Sequence, residues 1–167
     1  AIGSIGLGLA GVFAAGELAL RAFGYTPTFV NSLQSLHVPH ERYGWLGVPN
    51  HRARFKRSDF DVAIANGPAG FRTAGASVAL SSEAPSLIFL GDSFTWGWGV
   101  EAEEVFSTIV QNRLGGDVRV LNRGISGFGT VQQMLWLEDE IATLSPSLVV
   151  IMAYQNDFTD NIEGGWS

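Results

Sequence analysis

The sequence predicts an α/β domain, a three-layer α/β/α arrangement around a parallel sheet, and two observations predict it. From residue 87 onward, short apolar runs (Leu87 to Leu90, Val118 to Leu121, Leu148 to Ala153) alternate with longer segments of helical character at 102–113 and 130–144. Each run is apolar almost throughout rather than at every second position, as strands covered on both faces must be.

The bulk composition sets the limits. A 46% hydrophobic fraction over 167 residues is enough for one globular core. A formal charge of −6 argues against nucleic acid as the main partner, because phosphate binding needs a basic face. The chain has no cysteine, which excludes disulfides and thiolate metal sites.

In chain order, residues 1–23 come first, as a membrane anchor or signal segment. Residues 1–16 carry no charge, and Leu18, Ala19 and Leu20 resume the apolar run after Glu17. A full span takes about 20 apolar residues, so the stretch reads as the outer part of a signal anchor. Glu17 and Arg21 would lie near the membrane surface, with the domain on the extracytoplasmic side, periplasmic or at the cell surface. The alternatives are a buried Ala/Gly-rich helix or the remnant of a cleaved signal peptide, the latter giving a secreted product. A start at Ala1 and an end at Ser167 soon after the last strand read as a fragment, incomplete at its C-terminus.

Residues 24–86 read as a connector partly wrapped on the domain. Pro27, Pro39 and Pro49 interrupt any long helix, residues 52–65 alternate as one or two short strands, and Asn66-Gly67-Pro68 marks a turn. Arg52, Arg54, Lys56 and Arg57 read as a solvated strand face. Residues 73–86, small and polar, read as a linker. Residues 87–167 then form the α/β part, with Val131, Met134, Leu135, Ile141 and Leu144 on one face of its second helix.

In a parallel sheet, ligands bind beyond the carboxyl ends of the strands. Three segments occupy those positions here: Gly91-Asp92-Ser93 to Gly99, Asn122-Arg123-Gly124-Ile125-Ser126-Gly127-Phe128-Gly129, and Tyr154-Gln155-Asn156-Asp157. Each alone is ordinary turn chemistry. Together, at consecutive strand ends, they converge on one edge.

These three blocks resemble those of the SGNH (GDSL-type) serine hydrolases, whose fold is flavodoxin-like. Separations of 34 residues from Ser93 to Gly127 and 29 from Gly127 to Asn156 each leave room for one helix and one strand. The N-terminal segment, Tyr43-Gly44-Trp45 to Pro49-Asn50, and Gly70-Phe71-Arg72 look similar to membrane-anchored bacterial members. The resemblance implies that Ser93 is the nucleophile and that the oxyanion hole consists of the Ser93 and Gly127 backbone N–H groups with the Asn156 amide. It implies hydrolysis of acyl esters, in the manner of an esterase, lipase or carbohydrate acetylesterase. The substrates would be small acyl esters, acylated carbohydrate or lipid, and no metal or organic cofactor is called for. Asp92 and Asp157 are expected to hold turns.

The sequence departs from the family pattern in two places. Gln155 stands where the third block usually has Gly, and the Asp-x-x-His block that supplies the base is absent from the 167 residues. His37, His40 and His51 all precede Ser93 and are expected to be structural. The chain is therefore expected to hydrolyse esters poorly, with its base lying beyond Ser167. Three rivals stand beside this reading. An O-acyltransferase would use the same nucleophile. A non-catalytic glycan-binding module would keep only the fold. Nucleotide binding by Gly124 to Gly129 fits poorly, since the glycine order is GxxGxG. Trp96, Trp98 and Phe128 could line an acyl pocket or a sugar-stacking wall, or pack in the core.

Overall fold

The computed structural model describes residues 2–23, 36–73 and 84–163. The chain divides into two units, Ala1–Ser32 and Leu33–Ser167. The first carries α1 (Ile2–Ala22), with Glu17 and Arg21 paired at 2.8 Å one turn apart and Leu9, Val12, Phe13 and Leu18 exposed. Among the described residues, no helix is long and apolar enough to cross a membrane. Residues 24–35 of the expected connector and 74–83 of the expected linker lie outside the described residues.

The second unit opens with two antiparallel hairpins. β1 (His37–His40) pairs with β2 (Gly44–Gly47), and β3 (Arg52–Lys56) with β4 (Asp61–Ala65). The sheet follows, formed by β5 (Ser86–Gly91), β6 (Arg119–Gly124) and β7 (Leu148–Met152), all parallel in the order β6-β5-β7. Its helices are α2 (Ser93–Trp96), α3 (Phe106–Leu114), α4 (Thr130–Leu144) and α5 (Asp157–Glu163).

Alternation along β5 makes the three layers visible. The Phe89 ring packs edge-on against Phe106 of α3, with centroids 4.9 Å apart. Its neighbours Ile88 and Leu90, pointing the other way, share a cluster with Trp136 of α4. The two helices therefore cover opposite faces, and the α/β/α fold expected from the sequence is present.

The hairpin region belongs to the same core. Tyr43, Trp45 and Phe71 are buried with Ile88, Leu90, Ile125, Phe128 and Trp136, each large side chain contributing about 1.5–3 kcal/mol by leaving water. Polar contacts set the seat of this region. Tyr43 Oη donates to Asp139 Oδ2 of α4 at 2.5 Å, and Arg42 pairs with Glu138 and Asp139. A second cluster packs Phe55, Val62 and Ile64 of the β3–β4 hairpin on Trp96 of α2.

One helix begins later than its sequence suggests. Residues 102–104 form a turn closed by Glu104 N–H to Glu101 O at 3.0 Å and by Glu101 N–H to the Glu104 carboxylate at 3.1 Å. The helix starts after this acidic turn, at Phe106 rather than Ala102.

Candidate active site

Strand register brings the three chemical segments together. Gly91 of β5 is opposite Gly124 of β6 on one side and Met152 of β7 on the other, so the three carboxyl ends finish level. Ser93 stands two residues past Gly91, Gly127 three past Gly124, and Asn156 four past Met152. The structure thus places all three expected site residues on one edge of the sheet.

Ser93 opens α2, a half-buried position directly after the fully buried Asp92. Asp92 Oδ1 accepts the Phe94 N–H at 2.9 Å, which caps the helix, and Gly97 ends it with φ +93°, a left-handed torsion natural to glycine. At four residues, α2 is too short to add a helix-terminus field beyond that of its own N–H groups. Gly124 lets it sit directly on β6. A Cβ there would lie 2.7 Å from the Thr95 carbonyl carbon, inside any real contact. Asn122 adds a strut, donating to Thr95 O and Ser107 Oγ while its own Oδ1 accepts the Gly124 N–H at 2.9 Å.

The loop carrying Gly127 is equally fixed. Ile125 N–H donates to Gly91 O at 3.1 Å, Trp45 Nε1 donates to Ser126 O at 3.1 Å, and Ile125, Ser126 and Phe128 are all buried. Gly127 itself has φ +82°, which a side chain would strain. Among the described residues, neither the Ser93 N–H nor the Gly127 N–H donates to a protein acceptor, and Ser93 Oγ has no hydrogen-bond partner. Two donors and a hydroxyl are thus unengaged on one edge.

Asn156 differs. Its Nδ2 donates both hydrogens to carboxylates, to Asp92 Oδ2 at 3.0 Å and to Asp160 Oδ2 at 2.8 Å, while its buried Oδ1 has no hydrogen bond. The adjoining Asp157 is buried and accepts the Tyr154 N–H at 3.0 Å. Burial pushes its carboxyl above the ordinary range, and the charges of Asp92 and Asp160 push the same way. Gln155 is exposed on the loop between them.

Of the aromatics considered as a pocket wall, Trp96 and Phe128 are core residues, 2% and 1% exposed, and Trp98 packs edge-on against Phe55 at 4.9 Å. The rings at the site are others. Phe94, the residue after Ser93, is 62% exposed and meets Tyr154, 51% exposed, at 4.4 Å between centroids. A depression of about 530 Å³ lined by Tyr154, Gln155, Asn156, Phe158 and Thr159 opens beside them. In the sequence, the only sign of this wall is the position of Phe94 next to Ser93.

The segment Gly70-Phe71-Arg72, given above only as part of the resemblance, also holds the site in place. The buried Arg72 donates to the Trp96, Gly97, Val100 and Ala63 carbonyls and lies 5.2 Å from the Trp96 ring centroid, fastening the segment after α2. Its burial lowers its pKa from the ordinary arginine value, against the opposing pull of the Glu101 and Glu103 charges. Of the histidines, His40 is held by its own hairpin. His40 Nδ1 accepts the Arg42 and Tyr43 N–H groups, and its ring stacks on Tyr43 at 4.2 Å. Tyr43 in turn is bound to Asp139, about 13 Å along α4 from its start at 1.5 Å per residue. Among the described residues, no group of three His, Cys, Asp or Glu is placed to hold a metal ion.

No family model matches the chain, and neither does any curated protein. Among solved structures, a crystal structure of TesA is similar to it at 31% sequence identity and a TM-score of 0.41, over 48% of this chain and 45% of that one. The chain therefore spans about half the length of the solved structure it matches.

Proposed function

We propose that this chain carries the nucleophile and oxyanion donors of a serine-dependent acyl-ester hydrolase of the SGNH type. The observation that supports it is the level ending of β5, β6 and β7, which brings the Ser93 hydroxyl and the unengaged Ser93 and Gly127 N–H groups to one edge together with Asn156. Attack of Ser93 Oγ on an ester carbonyl places negative charge on the carbonyl oxygen. Preorganised N–H donors stabilise it, and removing one typically costs about 2.7–4 kcal/mol of barrier.

The proton of Ser93 must pass to a base within hydrogen-bond reach. As the family resemblance implies, we assign the base to a group outside these 167 residues and take the isolated chain to be a poor esterase; His40 for its part is committed to backbone N–H groups and a stacked ring. We take the substrate to be an acyl ester of carbohydrate or lipid, with its apolar part against Phe94 and Tyr154. We place the domain at an extracytoplasmic surface because of the uncharged run at residues 1–16.

A fluorophosphonate probe tests the central assignment. Labelling located at Ser93 by mass spectrometry, and lost in Ser93→Ala, is the expected result. Failure of Ser93 to react in a protein that also contains the missing base would remove the hydrolase reading and favour a binding module.

A further inference from the structure

Asn156 cannot serve an oxyanion as it stands. An amide has two N–H hydrogens, and here both are given to carboxylates, Asp92 Oδ2 at 3.0 Å and Asp160 Oδ2 at 2.8 Å. The opposite amide orientation would set Oδ1 against two carboxylate oxygens, and the buried Oδ1 gains no hydrogen bond of its own. The two carboxylates alone therefore fix the amide.

They are not equivalent. Asp92 is fully buried and doubly engaged, with Oδ1 on the Phe94 N–H and Oδ2 on Asn156, so one side chain joins the turn bearing Ser93 to the loop bearing Asn156. Asp160 is only half-buried and lies on the first turn of α5. Water screens it more, and its bond to Asn156 is the easier to give up.

We propose that Asp92 is a positioning residue that fixes the Asn156 amide relative to Ser93, and that Asp160 holds the amide hydrogen which passes to the substrate oxyanion. This rests on the reading of Ser93 as nucleophile. In the resting site the Asp160 carboxylate shields the donor. When the substrate oxygen becomes anionic it takes that hydrogen, while the bond to Asp92 keeps the amide plane in place.

The test compares rates of fluorophosphonate labelling at Ser93 in the full chain for Asn156→Ala, Asp92→Ala, Asp160→Ala and the double variant Asp92→Ala/Asn156→Ala. Asp92→Asn joins the set because it keeps an oxygen for the Phe94 N–H and so retains the helix cap. Loss of Asn156 slows labelling on the order of 100-fold. Both Asp92 variants approach that loss, and the double variant is scarcely slower than Asn156→Ala, as expected when one group acts through the other. Asp160→Ala labels faster than the parent chain, because a competitor and a repelling charge are gone. Multiplicative losses in the double variant, or an Asp160→Ala chain as slow as Asn156→Ala, overturn the proposal. Failure of Ser93 to label even in a protein that also contains the base refutes the hydrolase reading instead, and the tie is then decided by NMR. Asn156 side-chain amide resonances that are unmoved by both Asp92→Asn and Asp160→Ala would show that no such tie exists.

Discussion

Replacing Gly124 by Ala tests whether the close seat of α2 on β6 is what aims Ser93. The added Cβ would lie 2.7 Å from Thr95 C and 2.8 Å from Thr95 Cβ, and closer still to the Trp96 nitrogen. Ordinary carbon contacts lie near 3.5–4.0 Å, so α2 must withdraw by roughly 0.7–1.3 Å. Gly124 is not among the residues of positive φ, so the substitution adds collision without backbone strain. Overpacking of this kind costs about 1–3 kcal/mol, which in a domain of this size lowers Tm by roughly 3–12 °C. The same withdrawal carries Ser93 out of register with Gly127, and misplacement by about 1 Å can cost on the order of 100-fold in rate. Thermal melts by circular dichroism read the first effect, and fluorophosphonate labelling of Ser93 reads the second. Gly115→Ala is the control. It strains a backbone of φ +65° but meets nothing within 4 Å, so it lowers Tm and leaves labelling unchanged. A Gly124→Ala chain that melts within 1 °C of the parent and labels at the same rate would show that the packing of α2 on β6 does not position Ser93.

Three further outcomes follow from other parts of the molecule. Phe94→Ala and Tyr154→Ala should each raise KM for esters of longer acyl chains several-fold while changing kcat little, and equal effects on acetyl and longer esters would remove these rings from the acyl site. Arg72→Met keeps much of the side-chain volume but leaves the Gly97, Val100 and Ala63 carbonyls without their donor, and should destabilise the chain by about 3 kcal/mol or more, measured by urea denaturation. Tyr43, with its pKa raised to about 12 by burial and by Asp139, holds its proton more tightly in the folded chain than in the unfolded one. Its contribution to stability is therefore complete below pH 10 and lost between about pH 10 and pH 12, so Tm falls more steeply over that interval in the parent chain than in Tyr43→Phe.

What the sequence revealed and what it concealed divide along a physical line. β5, β6, β7 and α4 were legible because each is a long run whose apolar pattern records burial directly. The helix expected at 130–144 is observed at Thr130–Leu144, the runs at 87–90 and 148–153 lie within one residue of β5 and β7 at each end, and β6 starts one residue later than its run and continues three residues past Leu121 to Gly124. The convergence of Ser93, Gly127 and Asn156 was legible for the same reason, since a parallel sheet leaves strand ends little choice of edge. The hairpin at residues 37–47 was not, because its strands are four residues each and hold Pro39, Gly44 and Gly47, which carry no strand signal. Its attachment depends on pairs remote in sequence, Tyr43 with Asp139 and Trp45 with Ser126, and no local pattern records them.

The aromatics make the point most sharply. Trp96 and Phe128 lie in the motif segments yet are buried, while Phe94 and Tyr154, in the same two-residue neighbourhood of turns, are exposed. Composition could not separate them, because which ring faces the core depends on the path of a four-residue helix whose direction is set by Asp92, Gly97 and Gly124. The same holds for Asn156. Its residue type announces a donor, but that both of its hydrogens are already held by Asp92 and Asp160 is a property of three loops meeting, which no local pattern in the sequence records.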